Sequence, residues 1–174
     1  MDVKSLHHVA YRCKDAKQTA DFYTKVLGLE YAMAVSEDRV PSTGEEHPYM
    51  HIFFRMDDGS YVAFFELPES PEMGRDEKTP IWVQHLALRV ADEATLIRRK
   101  AELESHGVEV LGPVDHTICK SIYFFDPNGH RLELAVDTTT PEMAKNLASV
   151  SEAMLAEWTK TKKAPHHADW IHKK

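Results

Sequence analysis

The chain has 174 residues, of which 43% are hydrophobic and 28% charged, and its net charge is −7 at pH 7. That length suits one globular unit, or two small halves that share a core. The pI near 5.9 argues against nucleic-acid binding, and the sequence contains no apolar run long enough to span a membrane. We expect a cytoplasmic protein, because no secretory leader is evident and two cysteines do not make a disulfide framework.

The first 67 residues predict one strand, one helix and three further strands. Asp15 suits the N-cap of the helix, and Gly28 suits its C-terminal end. The turn "DDG" separates the last two strands, and a connector rich in proline and charge follows at residues 68–80. The predicted elements are the strand 6–13, the helix 15–28 and the strands 29–35, 49–56 and 60–67.

The same order of elements starts again after the connector. His8 aligns with His85, and Arg12 aligns with Arg89, which gives a repeat of period 77 at its start. The elements predicted for the second half are the strand 82–90, the helix 91–107 and the strands 108–114, 120–125 and 130–136. The repeat therefore predicts two similar halves.

Two adjacent histidines, His7 and His8, stand at the start of the first strand. Neighbouring side chains on a strand point to opposite faces. His8 is the partner of His85 in the repeat, whereas His7 aligns with Gln84. We therefore take His8 as a candidate ligand and His7 as a structural residue that points away from it.

Each half also ends in an apolar strand that carries one glutamate, Glu66 in the first half and Glu133 in the second. An ionised glutamate is costly to bury unless it is paired or bound to a cation. Two imidazoles and two carboxylates suit a divalent ion such as zinc, nickel, cobalt, iron or manganese. The sequence therefore predicts one divalent metal ion held by His8, Glu66, His85 and Glu133. The alternative is that the histidines are hydrogen-bonded core residues and the glutamates face solvent.

The repeat stops after residue 137, and residues 138–158 predict a long helix. Thr140 suits its N-cap, and Pro141 suits its first turn. Apolar residues recur at helical spacing, and we expect them to pack against the sheet or a second subunit. They are Met143, Leu147, Val150, Met154 and Trp158.

The segments "HVAYRCKDAKQTADFYTKVLGL", "QHLALRV" and "YFFDPNGHRLEL" resemble the vicinal oxygen chelate superfamily, which includes glyoxalase I, type I extradiol dioxygenases and proteins of fosfomycin and bleomycin resistance. The resemblance covers nearly all of residues 5–137. It implies an α+β fold of paired βαβββ modules, about 5–67 and 81–137, that form a cupped sheet. These modules make up a domain over residues 1–137, and an additional C-terminal helix and tail cover 138–174.

The resemblance also carries a ligand set. The metal positions of the superfamily fall on His8, His85 and Glu133, and on Glu66 in its four-ligand members. The site of such proteins forms within one chain or across a dimer interface. We expect a homodimer that acts on a small-molecule substrate.

One subgroup that the sequence resembles is glyoxalase I, in which Glu66 would be the fourth ligand. Arg12 matches the arginine that holds the glutathione part of the substrate. In that mechanism the metal polarises the oxygens of an enediolate, and Glu133 or Glu66 moves a proton between adjacent carbons. The sequence departs from glyoxalase I at Glu69 and Ser70, where those enzymes have an Asn-Trp pair.

The other subgroup is the type I extradiol dioxygenases, which bind Fe(II) and cleave catechol rings. The matching motif consists of His116, Tyr123, Asp126-Pro127, Gly129 and Glu133. His116 and Tyr123 would hydrogen-bond the substrate oxygens, or they would merely line the pocket. The sequence departs from this subgroup at Ser60 and Tyr61, where a catalytic histidine is expected, and Glu66 would fill a position that oxygen needs vacant.

From these features we favour glyoxalase I-like isomerase or lyase chemistry on an α-oxoaldehyde–thiol adduct over ring cleavage. A metal-independent drug-binding protein is a third reading. Two polar segments, residues 36–50 and 68–80, are predicted to overhang the pocket as loops. Within them, Arg39, His47 and Arg75 are candidate contacts for an anionic substrate.

Overall fold

A computed structural model describes residues 2–74 and 76–172, so the candidate contact Arg75 lies outside the described residues. Over these residues each half of the chain forms one helix and four strands. The first half contains β1 (His8–Cys13), α1 (Ala16–Asp21), β2 (Glu30–Arg39), β3 (Glu46–Arg55) and β4 (Tyr61–Glu66). The second half contains β5 (Leu86–Arg89), α2 (Glu93–Ser105), β6 (Leu111–Asp115), β7 (Cys119–Phe125) and β8 (Arg131–Asp137), and α3 (Pro141–Thr161) follows.

The strands form two mixed sheets with the same internal order. The first sheet runs β1-β4-β3-β2 and the second runs β5-β8-β7-β6. In the first sheet β1 pairs with β4 in parallel, whereas β3 pairs antiparallel with both β4 and β2. Two sheets built in one order from consecutive halves confirm the predicted α+β class and its paired βαβββ modules.

The first helix forms as its sequence predicts. Asp15 is the N-cap, and its side chain accepts a hydrogen bond from the Gln18 backbone N–H at 2.7 Å. A π-helical turn over Phe22–Val26 extends α1, and the chain then leaves the helix at Gly28, whose φ of +70° is easily reached only by glycine.

Strand pairing gives the first sheet two different faces. On the face toward α1, which we call the α1 side, Tyr23 packs with Phe54 and Phe64 at ring-centroid distances of 5.1 and 4.7 Å. On the opposite face, which we call the His8 side, β4 places Tyr61, Ala63 and Phe65, because alternate strand residues share a face. The core of this module therefore lies on the α1 side.

The hairpin of β2 and β3 is longer than predicted. Much of the polar segment 36–50 is strand, whereas the sequence predicts a loop there. A turn closes the hairpin, since Val40 N–H donates to the Glu45 carbonyl and Gly44 N–H donates to the Val40 carbonyl. Both strands of this tip are largely exposed, so polar side chains are compatible with strand pairing.

The second half begins later than predicted, because β5 covers only Leu86–Arg89 and not residues 82–90. Trp82 and Val83, which the sequence places in that strand, are 65% and 43% exposed. Helix α3 begins as predicted, with the Thr140 hydroxyl accepting from Met143 N–H at 3.1 Å and Pro141 in the first turn. No described residue of α3 is fully buried. Packing of its apolar stripe on a sheet or a second subunit therefore stays a prediction.

The chain divides into two compact units. One comprises Met1–Leu86, Ala101–Glu109 and Phe124–Leu132, and the other comprises Ala87–Lys100, Val110–Tyr123 and Glu133–Lys174. Among the described residues, no helix is both long and apolar enough to cross a membrane.

A buried polar cluster around Asp126 joins the elements of the first unit. The Asp126 carboxylate accepts hydrogen bonds from the Tyr23 hydroxyl at 3.2 Å and from the Asn128 side chain at 2.9 Å. It also accepts from the backbone N–H groups of Asn128 and His130. The Asn128 amide in turn donates to the Thr19 hydroxyl. A single carboxylate therefore satisfies several buried donors.

We predict that Asp126→Ala lowers the free energy of unfolding by about 2–4 kcal/mol, since it leaves these buried donors unpaired. Tyr23→Phe is the matched control, because it removes one hydroxyl and should cost only about 1 kcal/mol. Urea unfolding of both variants measures the difference. Equal losses in the two variants would contradict the role given to the carboxylate.

Candidate functional site

His8 is the first residue of β1, and its side chain is exposed on the His8 side of the first sheet. It is in register with Tyr61 of β4. Its ring centroid lies 5.9 Å from that of Phe53 and 6.4 Å from that of His51. The imidazole therefore stands at an aromatic surface that is open to a ligand.

The prediction that His7 points away from His8 is wrong, whereas its structural role stays a prediction. β1 begins at His8, so strand alternation does not govern His7. The two Nδ1 atoms of His7 and His8 lie 2.7 Å apart, within hydrogen-bond distance. His7 therefore contacts His8 directly, where the sequence pattern predicts that it points away.

The structure does not bring Glu66 together with His8. Glu66 is in register with Cys13, five residues beyond the His8–Tyr61 pair, and an odd separation puts it on the α1 side. Its Oε2 accepts a hydrogen bond from Ala16 N–H at 2.6 Å, which fixes the end of β4 to the start of α1. Strand register therefore puts Glu66 and His8 on opposite faces of the first sheet.

The turn between β3 and β4 and the turn between β7 and β8 show which residue of the first module corresponds to Glu133. In the first turn Gly59 N–H donates to the Met56 carbonyl, and in the second Gly129 N–H donates in the same way to the Asp126 carbonyl. Four residues beyond each turn glycine stand Ala63 and Glu133. The similar sequences "FFEL" and "RLEL" suggest instead that Glu66 corresponds to Glu133. They mislead because Glu66 lies further from its turn glycine than Glu133 does from Gly129. The first module thus offers an alanine where the second offers a carboxylate.

His85 lies just before β5 and is exposed. Its Nδ1 is 3.2 Å from the Val83 carbonyl oxygen. In the first unit it lines a cavity of about 440 Å³ together with Lys14, Phe125 and Arg131. Its ring is therefore accessible to a small ligand.

His116, Tyr123 and Glu133 form a connected cluster in the second unit. His116 Nε2 and the Tyr123 hydroxyl oxygen are 2.8 Å apart. Glu133 is 5% exposed and contacts the Tyr123 hydroxyl. Burial, and then the Glu133 charge, raise the pKa of Tyr123, so its phenol stays protonated near neutral pH. These three residues of the predicted motif are therefore neighbours, with a phenol that can donate a hydrogen bond.

Arg12, the candidate substrate contact, binds the chain itself. Its Nη2 donates to the Pro71 carbonyl at 2.5 Å, and the Ser70 carbonyl lies at 3.5 Å. Its Nε is buried and has no hydrogen-bond partner among the residues that the structure describes. The guanidinium therefore holds the segment after β4 against β1, and a substrate-binding role for it stays a prediction.

The two remaining loop candidates are also engaged. Arg39 forms an ion pair with Glu46 and donates to the Gly44 carbonyl. His47 Nε2 lies 3.0 Å from the Ser70 hydroxyl oxygen. Both contacts stabilise the polar hairpin and its neighbouring segment, and neither tests substrate binding.

Sequence reasoning missed His51. It is 8% exposed, and its ring stacks on Phe65 at a centroid distance of 3.5 Å. Its Nδ1 lies 3.0 Å from the Phe64 carbonyl, so the N–H stays on Nδ1 and Nε2 is an acceptor. Burial lowers its pKa. Alternation in "YMHIFF" groups His51 with Phe53 on one face of the strand, and pairing of His51 with Phe65 in the structure puts that face on the His8 side.

Among residues 2–74 and 76–172, no three His, Cys, Asp or Glu side chains are grouped so that they could hold a metal ion. The chemistry of the donors at the superfamily positions still suits one. His8 and His85 are exposed imidazoles, and Glu133 is a buried carboxylate beside a hydrogen-bond donor. Two imidazoles and one carboxylate are typical of non-haem Fe(II) oxygenases.

Comparison with known proteins gives a consistent assignment. The family model "Glyoxalase/Bleomycin resistance protein/Dioxygenase superfamily" matches residues 5–134. The chain is 32% identical over 140 residues to biphenyl-2,3-diol 1,2-dioxygenase 3 of Rhodococcus globerulus, a match that covers 79% of this chain and 66% of that protein. It is 28% identical over 141 residues to MhqA of Bacillus subtilis (strain 168), provisionally named a ring-cleaving dioxygenase, with 79% and 42% covered.

The chain thus spans less than two thirds of the length of these two curated relatives. Among solved structures, a glyoxalase/dioxygenase from Nostoc punctiforme matches with a TM-score of 0.57 and 28% identity, and 78% of this chain and 92% of that one are covered. The family model spans most of the chain, and the sheet order agrees with the predicted modules. The chain therefore belongs to the glyoxalase/bleomycin resistance protein/dioxygenase superfamily.

Proposed function

We propose that this chain binds one divalent first-row metal ion through His8, His85 and Glu133 and cleaves the ring of a small catechol-type substrate with dioxygen. The contact between His116 and Tyr123, with Glu133 beside them, carries the proposal. Such an ion would supply a chelating centre for two adjacent substrate oxygens and a path for electrons to dioxygen. The names of the two curated relatives support the same chemistry.

The protein's own residues would orient the substrate. The Tyr123 phenol is protonated at neutral pH, as an ordinary tyrosine is, and burial and the Glu133 charge raise its pKa further, so its hydroxyl can donate to a substrate oxygen. His116, at 2.8 Å from that hydroxyl, can exchange a proton with it. Glu133 fixes the phenol while it serves as a ligand, which is the usual arrangement of outer hydrogen bonds around a metal site.

This proposal reverses the preference drawn from sequence. Glyoxalase I-like chemistry relied on Glu66 as a fourth ligand, and Glu66 lies on the α1 side of its sheet. The sequence alone also argues against ring cleavage, because Glu66 as a ligand would occupy the metal position that dioxygen needs. With Glu66 on the α1 side, that objection no longer applies. Ring cleavage still lacks the motif histidine at Ser60 and Tyr61, and His51 on the His8 side is the nearest chemical equivalent.

The proposal predicts that His85→Ala and Glu133→Gln each lower the affinity for Fe(II) at least about tenfold, since each removes one of three ligands. Anaerobic loading followed by metal analysis measures the effect. Glu69→Gln is the control, because it alters an exposed carboxylate outside the set. Unchanged iron content in both ligand variants would refute the ligand set.

Two assays on the Fe(II)-loaded protein distinguish ring cleavage from isomerase chemistry. We expect oxygen uptake with catechol or 2,3-dihydroxybiphenyl, and we expect Tyr123→Phe to reduce its rate about 10²-fold at unchanged iron content. Conversion of methylglyoxal with glutathione in the absence of oxygen would instead establish isomerase chemistry. Tight binding of an aromatic drug, with neither iron nor turnover, would establish a binding protein.

Glu66 should matter for stability. We predict that Glu66→Ala costs about 1.5–3 kcal/mol of unfolding free energy, because it removes a charge-assisted hydrogen bond to Ala16 N–H. Glu66→Gln keeps an acceptor oxygen and should lose clearly less. Chemical denaturation of the pair tests this, and equal stability of wild type and Glu66→Ala would show that the contact contributes nothing.

A further inference from the structure

A second cavity lies on the α1 side of the first sheet. Its volume is about 550 Å³, which is within the range of small-molecule sites. Residues of α1, β2, β3 and β4 line it, and those that matter below are Ala16, Ala20, Tyr31, Met50, Ile52 and Glu66. His8 is on the opposite face of this sheet, so the cavity is separate from the site described above.

Small side chains keep this cavity open. Ala16 and Ala20 are one helical turn apart, and both line the space between α1 and the sheet. Further along, Phe22 and Tyr23 are buried and fill the space between the helix and the sheet. The cavity is therefore a gap left by two alanines in an otherwise packed contact between helix and sheet.

One carboxylate oxygen of Glu66 has no donor among the residues that the structure describes. Glu66 is half-buried, and within residues 2–74 and 76–172 only its Oε2 is hydrogen-bonded, to Ala16 N–H. Lys17 also lines the cavity, and its ammonium group is paired with Asp21 at 2.5 Å. Asp15, the other acid at the rim, is occupied as the cap of α1. The unsatisfied charge of the cavity is therefore negative.

Much of the remaining wall is apolar and partly aromatic. Tyr31 and Met50 are 48% and 38% exposed, whereas Ile52 at the floor is 2% exposed. An ionised carboxylate beside such a wall is stabilised by a cation that brings its own apolar body. A tyrosine ring face adds cation–π attraction for an ammonium group.

We propose that this cavity binds a small organic cation, with an ammonium group on Glu66 Oε1 and an apolar or aromatic body against Tyr31 and Met50. The ligand class follows from the charge of Glu66 and the apolar wall. The site requires no metal ion and does not depend on the catalytic proposal.

The test uses the whole chain and 2-phenylethylammonium as the probe, followed by heteronuclear NMR shifts and calorimetry. We expect a dissociation constant of about 1 mM or tighter, as is usual for a ligand of about nine heavy atoms. The neutral analogue 2-phenylethanol should bind about tenfold more weakly, and 3-phenylpropanoate should not bind.

Two variants separate charge from shape. Glu66→Gln keeps an acceptor for Ala16 N–H and should reduce affinity for the cation to that of the neutral alcohol. Ala20→Leu fills the cavity and should abolish binding of both probes. Glu69→Gln, which changes an exposed carboxylate, should leave both affinities unchanged.

Equal affinity of wild type and Glu66→Gln for the cation would overturn the proposal, as would the absence of binding at 10 mM probe (about tenfold above the expected constant). Urea unfolding of each variant verifies that it is folded. Iron content and oxygen uptake should be the same in wild type and Ala20→Leu, so failure of this site and failure of the catalytic proposal are distinguishable.

Discussion

The parallel pairing of β1 with β4 is the constraint that decides which side chains share each face of the first sheet. It sets His8 against Tyr61 and Cys13 against Glu66. Because side chains alternate along a strand, this register decides which residues share a face. A shift of one residue would move Glu66 to the His8 side. The observed pairing keeps the two apart and leaves Ala63 where a second carboxylate would stand.

The two faces of the first sheet therefore have different chemistry. The His8 side carries an exposed imidazole with His51 and aromatic rings around it, which suits a ligand that also contacts a metal ion. The α1 side carries the module's core and, at one end, a cavity lined by Glu66, one of whose carboxylate oxygens has no donor within residues 2–74 and 76–172. Glu66 belongs to the second face, where it stabilises the start of α1 and gives the cavity its charge.

Much of the fold could be predicted from sequence, because local signals and the repeat agree. Asp15, Gly28 and Thr140 mark helix ends through backbone geometry that only a few residue types satisfy. The signals failed where tertiary context decides. The polar tip of the β2–β3 hairpin pairs as strand although its residues are typical of loops.

The candidate site was predictable in part. The sequence motif names His116, Tyr123 and Glu133, which lie close to one another along the chain. Tyr123 is on β7 and Glu133 on β8, while His116 lies between β6 and β7, and the structure places the three side chains next to one another. Glu66 was misplaced because a glutamate in an apolar strand looks the same whichever face it occupies. Only pairing with β1 and the matching turns distinguish it from Ala63.

The most direct test of the central claim compares Fe(II) affinity in His8→Asn and Glu66→Gln, measured side by side by anaerobic titration. If the face of the sheet decides the ligand set, His8→Asn weakens Fe(II) binding about 10²-fold and Glu66→Gln leaves it unchanged. A comparable loss of affinity in Glu66→Gln, or none in His8→Asn, would contradict the account.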